Sequence, residues 1–287
     1  MMTQISILGC GWLGLPLAKA LIENKFLVKG STTSVAKLSV LENAGIIPFL
    51  IVLTPNSNFQ SSMNILVEEE EKTENLTAFL ENSKILIIDI PPKLRGSEKE
   101  NFVLKIKNII PDIEKSTVEN VIFISSTSVY GENNLLVTEE TALNPDTESG
   151  KQLMETEQLL QSNTNFKTTI LRFGGLIGED RHPVHFLAGR THIENPNAPI
   201  NLIHQEDCIG IIMAIIDQIQ IKCWNRNEDF NAVTPFHPSR KEYYTQKAIE
   251  LNLALPEFNL ENSTFGKTIL SNKTGAFLGY AFKKPKL

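Results

Sequence analysis

The stretch Ile5-Ser-Ile-Leu-Gly-Cys-Gly-Trp-Leu-Gly14 decides the reading of the chain. An apolar run of strand length leads into glycines at positions 9, 11 and 14, and Leu13, Leu17 and Leu21 then recur at helical spacing. In such a strand–turn–helix the first glycine permits a tight turn and the second lets a pyrophosphate approach the backbone. The third allows close helix–strand packing, and the amino end of the helix favours an anion. Gly9, Gly11, Trp12, Leu13 and Gly14 are therefore candidate cofactor contacts. Pro16 lies beyond the expected helix start, where it should remove a backbone bond or kink the helix.

Outward from this loop, nearly all-apolar runs at 4–8, 26–30, 46–52, 84–90, 120–124 and 167–172 read as strands covered on both faces. Segments near 12–24, 34–44, 72–82, 98–110, 148–162 and 205–219 read as helices between them. The alternation predicts an α/β fold with a doubly wound parallel sheet of Rossmann type. Residues 54–71, ending in the acidic run Glu68–Glu71, fit neither pattern well. After residue 173 prolines divide the chain into short elements, as in a smaller carboxy-terminal substrate lobe. The expected division is 1–172 for the dinucleotide-binding domain and 173–287 mostly for that lobe, with some segments returning to the first domain.

The net charge of −6 argues against a nucleic-acid partner, because phosphate-backbone binders concentrate Lys and Arg. Cys10, Cys208 and Cys223 are too few and scattered for a disulfide framework and read as reduced thiols. No apolar run reaches the roughly 18 residues that suggest a membrane span. The start Met-Met-Thr-Gln leaves no room for a signal peptide, so a cytoplasmic location is expected, with a homodimer as a candidate assembly.

The second strand runs into Gly-Ser-Thr-Thr33, about 20 residues past the loop, where an NAD-specific fold presents an acid to the ribose diol. No Asp or Glu occurs from residue 24 to 41. Ser31, Thr32, Thr33 and Lys37 instead suit a 2′-phosphate, which favours NADP over NAD; alternatively Thr32 and Ser34 cap the next helix. The fourth strand ends Asp89-Ile90-Pro91, where an acid inside an apolar run needs a partner.

The fifth strand is followed by Ser125-Ser-Thr-Ser-Val-Tyr-Gly131. Together with the glycine loop, Arg172-Phe-Gly-Gly-Leu-Ile-Gly178, Gly178-Glu-Asp-Arg-His-Pro183 and Asn201-Leu-Ile-His-Gln-Glu-Asp207, it resembles the extended short-chain dehydrogenase/reductases of the NAD-dependent epimerase/dehydratase group. Within that group it is most similar to the atypical YeeZ-like branch. The resemblance implies that Ser126 polarises a substrate oxygen. It also implies that Ser125, Phe173, Gly174 and the 89–91 loop line the cofactor, and that Thr127 and Ser149 face substrate. The family's catalytic Tyr-x-x-x-Lys maps onto Ser149 and Leu153, so both reactive groups are missing. A lysine four residues on shares the tyrosine's helix face and can lower the phenol's pKa; leucine cannot. Lys151 falls on roughly the opposite side.

Tyr130, at a strand's carboxyl end, and His182 are candidate proton donors, against packing or substrate contact for Tyr130. Arg181 can clamp an anionic substrate, and Asn201 and His204 are further candidate contacts. For His204 and Asp207 a purely structural role competes. His182 and His185 lack the neighbouring ligands of a metal site, so none is assigned. These residues predict an oxidoreductase or epimerase with an atypical active site, acting on a small polar or sugar-derived metabolite. The alternative is a catalytically inactive protein that senses NADP(H) or binds a partner.

Overall fold

The computed structural model describes residues 2–55, 75–92, 94, 100–132, 136–221, 224, 226–261 and 266–287. The acidic run 68–71, Lys93, Asn134, Cys223 and the start of the helix expected at 72–82 lie outside them.

The chain begins β1 (Gln4–Leu8), α1 (Gly14–Glu23), β2 (Leu27–Thr32), α2 (Leu38–Asn43) and β3 (Ile47–Leu50). Helical residues 75–80 form α3, followed by β4 (Ser83–Ile88), α4 (Phe102–Lys115) and β5 (Asn120–Ser126). Next come β6 (Leu136–Val137), α5 (Glu148–Gln161), β7 (Lys167–Phe173) and β8 (Gly175–Ile177). The remainder is α6 (Val184–Leu187), β9 (Leu202–His204), α7 (Gln205–Gln220), β10 (Glu228–Ala232), α8 (Arg240–Glu250), β11 (Thr268–Ile269) and α9 (Asn272–Leu278).

Seven strands form one sheet in the order β10-β7-β5-β4-β1-β2-β3, the doubly wound arrangement expected, with β1–β2, β1–β4, β2–β3 and β4–β5 pairing parallel. Ile5, Ile7, Ile85, Ile87, Val121 and Phe123 are inaccessible or nearly so. Each such side chain contributes about 1.5–3 kcal/mol on burial, which is why the apolar runs become central strands.

The helices cover the sheet with apolar stripes. In α4, Phe102, Ile106, Ile109 and Ile113 form the buried face, and Asn101 caps the helix by accepting from the Leu104 N–H at 2.9 Å. This helix was expected to end at residue 110, yet it runs through Pro111 to Lys115. Pro111 is exposed, so water can hydrogen-bond to the carbonyl that loses its helical donor. Pro16 is the third residue of α1, in the first turn, where helical N–H groups are largely without intrahelical partners. Pro16 therefore falls where its missing N–H costs the helix little. Polar groups in the core are paired: Ser6 Oγ donates to the Phe79 carbonyl at 2.6 Å, and Lys29 Nζ donates to the carbonyls of Ala78 and Glu81 at 2.6 and 2.8 Å. That ammonium sits at the carboxyl end of α3, which favours a cation.

The chain divides into two compact units, 1–125 with 147–171 and 217–229, and 126–146 with 172–216 and 230–287. The first holds most of the sheet. The second has its own core of Ile177, Val184, Ile200, Leu202, Tyr243, Tyr244 and Ala248, and two short parallel pairs, β6–β11 and β8–β9. Its Asp207 is inaccessible and accepts from the Tyr280 hydroxyl and the backbone N–H groups of Lys283 and Lys284, tying down the carboxy-terminal segment. Cys10 and Cys208 are buried free thiols. Among the described residues no helix is long and apolar enough to cross a membrane.

Candidate functional site

At the carboxyl ends of β1, β2 and β4 the first unit opens into a cavity of about 530 Å³. Gly9, Cys10 and Gly11 line one side, Ser31, Thr32, Thr33 and Lys37 a second, and Asp89, Ile90 and Pro91 a third. Doubly wound sheets bind ligands at this edge. Residues 51–54 after β3, and Glu100, Phe102 and Lys105 at the start of α4, complete the wall. These were not foreseen, because they are brought to the cavity from separate βα connections.

The three glycines have different duties. Gly9 adopts φ 111°, and a Cβ there would collide with the Asp89 carbonyl. A Cβ on Gly14 would overlap the Gly9 carbonyl oxygen. Gly11 is different: a Cβ there would meet nothing within 4 Å. The chain's own packing thus requires Gly9 and Gly14, whereas the open approach to the Gly11 backbone faces space available to a ligand. That space, beside the amino end of α1, fits a dinucleotide's pyrophosphate.

Several expected contacts serve the loop itself. Ser31 Oγ accepts from the Gly9 N–H at 2.9 Å, and the Ser31 carbonyl accepts from the Cys10 N–H at 2.8 Å. Ser31 is therefore first a brace for the glycine turn. Thr32 Oγ1 accepts from the Ser34 N–H at 3.2 Å, a local turn bond close to the capping alternative. Thr33 and Lys37 are exposed at the cavity and have no side-chain partner among the described residues. Leu13 and Gly14 are buried in helix packing and Trp12 is half-buried.

Asp89 finds its partner in the Gly14 backbone N–H, and its burial beneath the loop pushes the carboxyl up to about 7. Burial, with Asp89 as a second cause, raises the Cys10 thiol to about 12, so Cys10 stays protonated near neutral pH. A carboxyl whose folded pKa is raised stabilises the fold below its unfolded value, near 4, and that contribution is lost as pH rises through about 7. Asp89→Asn should therefore gain melting temperature relative to the native chain between pH 5.5 and 8.5. A difference independent of pH over that range would contradict this assignment.

Ser125, expected at the cofactor, is 5% exposed and donates through Oγ to Glu157 on α5 at 2.5 Å. Its hydroxyl is held inside the first unit. On α5, capped by Thr147 Oγ1 accepting from the Gly150 N–H, Ser149 is half-buried, Leu153 is in the core and Lys151 is exposed. The lysine therefore lies off the Leu153 face, as the helical spacing predicts.

In the second unit, Ser126 is half-buried and its Oγ accepts from the Ser128 N–H at 3.2 Å, leaving its proton to donate elsewhere. Thr127 is 8% exposed. Tyr130 is only 1% exposed; its hydroxyl donates to Asn231 Oδ1 at 2.9 Å and accepts from Arg172 Nη1 at 2.7 Å. Lys267 Nζ donates to the Tyr130 carbonyl at 2.7 Å. Both the proton and a lone pair of the phenol oxygen are engaged in a buried network, the setting of the packing alternative for Tyr130. His182 is likewise held: Nδ1 accepts from the Val184 N–H at 3.1 Å, and Nε2 lies 2.9 Å from the Tyr243 hydroxyl. Burial above all, then Lys247 and His185, lowers its pKa to about 4, so it is neutral at pH 7 and occupied at both nitrogens.

Asn201 donates to the Lys267 carbonyl at 2.7 Å and accepts from the Ile269 N–H at 2.9 Å, a structural tie in place of the expected substrate contact. His204 Nδ1 accepts from the Glu206 N–H at 3.2 Å, in keeping with its structural alternative. Phe173 is 2% exposed, and the Gly174 N–H donates to the Ala232 carbonyl, while a Cβ on Gly174 would meet the Asn201 carbonyl. Arg181 is exposed.

No family model matches the chain. Protein YeeZ of Escherichia coli K12 is 31% identical over 285 residues, covering 99% of this chain and 97% of that protein. A structure from Methylobacillus flagellatus, provisionally assigned as an NAD-dependent epimerase/dehydratase, superposes with a TM-score of 0.74 at 22% identity, covering 100% of this chain and 95% of that one. A UDP-N-acetylglucosamine 4-epimerase from Bacillus cereus superposes with a TM-score of 0.75 at 14% identity, covering 98% and 94%.

Proposed function

Because the chain belongs to the YeeZ-like branch of the extended short-chain dehydrogenase/reductases, we propose that it is a nicotinamide-dinucleotide-dependent oxidoreductase or epimerase, with NADP the preferred cofactor. Its substrate is a small polar or sugar-derived metabolite, a class supported by the nucleotide-sugar epimerase of like fold. The observation that carries the reading is the open backbone at Gly11, facing a cavity that the chain does not fill itself. The bound dinucleotide supplies hydride exchange.

The chain's part is binding and orientation. The glycine loop and the amino end of α1 hold the pyrophosphate, while Thr33 and Lys37 receive the ribose 2′-phosphate. Ser126 donates its hydroxyl proton in a hydrogen bond that orients the substrate oxygen. With Ser149 and Leu153 in place of the family's tyrosine and lysine, no lowered phenol assists proton exchange on α5.

Lys37→Ala should weaken NADP binding about tenfold and leave NAD unchanged, since one charge-assisted contact is worth roughly 1.5 kcal/mol. Native binding tighter for NAD than for NADP would contradict the phosphate assignment. Turnover is tested by NADPH oxidation against a panel of carbonyl compounds and nucleotide sugars. Ser126→Ala should remove the activity found there while cofactor affinity stays; binding with no turnover across the panel would leave a binding protein without catalysis.

A further inference from the structure

The second unit carries a cavity that plays no part in the reading above. It measures about 400 Å³ and is bounded by α6, the approach to β9 and the first turns of α8. Its walls include Phe186, Leu187, Pro199 and Leu202, with Arg240 and Tyr244 supplying the polar side. Phe186 is 71% exposed and stands on the apolar side of the hollow.

Arg240 is the informative residue. Its Nε is buried without a hydrogen-bond partner, and among the described residues the guanidinium makes no ion pair. Buried donors of this kind are normally satisfied, and leaving one unmade is unfavourable. The terminal nitrogens are neither bonded nor closed off, so the fork has its outer edge free. The helix end does not supply the missing anion site. The first N–H groups of α8 are already taken: Arg240 N–H by the Ala198 carbonyl, Lys241 N–H by the Pro196 carbonyl and Glu242 N–H by Ser239 Oγ. The hydroxyl of Tyr244, on the same wall, has no partner among the described residues either.

We propose that this cavity binds a small organic anion, its carboxylate or phosphate group on Arg240 and Tyr244 and its apolar body against Phe186, Leu187 and Pro199. A planar guanidinium with a free edge matches either anion through two parallel hydrogen bonds, and the apolar wall accepts a ring or short chain. Lysine would present a single point charge and lose that geometry.

The test is isothermal titration of the full chain with benzoate, phenyl phosphate and, as the neutral counterpart, benzyl alcohol. Benzoate or phenyl phosphate should bind saturably and more tightly than benzyl alcohol, the tighter of the two identifying the anionic group. Arg240→Gln should weaken that binding at least about tenfold, and Arg240→Lys should restore it only in part. Equal binding of benzyl alcohol, or full binding by Arg240→Gln, would overturn the proposal. A measurement on the native chain covers a variant that fails to fold. Phenylglyoxal modification of Arg240, followed by mass spectrometry of its peptide, should be slowed by the tighter anion; an unchanged rate would overturn the proposal equally.

Discussion

Gly11→Val will leave the melting temperature of the chain almost unchanged and abolish dinucleotide binding. Nothing lies within 4 Å of a Cβ at this position, and Gly11 is exposed, so the fold does not register the substitution. A branched side chain there projects where the pyrophosphate must approach the backbone. Losing two hydrogen bonds to a charged group forfeits about 3–6 kcal/mol, or at least a hundredfold in affinity. Gly14→Ala provides the contrast, because its Cβ would strike the Gly9 carbonyl and the fold itself should suffer. Thermal unfolding and NADPH titration of both variants separate the two duties. Retained NADPH affinity in a folded Gly11→Val chain would show that the loop does not seat the pyrophosphate.

Tyr130→Phe will lower stability by about 2–6 kcal/mol while turnover per folded molecule is kept. The phenol oxygen joins Arg172 and Asn231 inside the second unit, with the Arg172 guanidinium carbon 5.3 Å from the ring centroid. Removing the oxygen withdraws a partner from each of two buried polar groups, one of them charged, at about 1–3 kcal/mol for each. The change in denaturation midpoint, read beside NADPH oxidation, tests this. Turnover reduced a hundredfold or more at unchanged stability would restore Tyr130 as the acid.

The order of elements was legible wherever apolar period and glycine chemistry agreed. The loop from Gly9 to Gly14, the strands of the sheet centre and α5 are cases where local pattern and burial demand the same structure. β10 escaped because Glu-Asp-Phe-Asn-Ala is too polar to read as a strand. Asn231 is nevertheless buried there, its polarity answered by the Tyr130 hydroxyl 101 residues earlier and the Leu270 carbonyl. The same distance in sequence hides the surroundings of the candidate site residues. Tyr130, His182 and Asn201 have side chains suited to chemistry, and only the fold reveals that Arg172, Tyr243 and Lys267 already occupy them. Ser31 is an intermediate case: the sequence offers its hydroxyl to a ribose 2′-phosphate, while its bond to the Gly9 N–H depends on the β1–β2 register.

We propose that the first unit's cavity holds a nicotinamide dinucleotide with a 2′-phosphate. Equilibrium titration of the native chain with NADPH and NADH, followed by the fluorescence of the reduced nicotinamide, tests it most directly. The structure predicts saturable one-site binding, tighter for NADPH than for NADH. An absence of saturable binding by either nucleotide would contradict it.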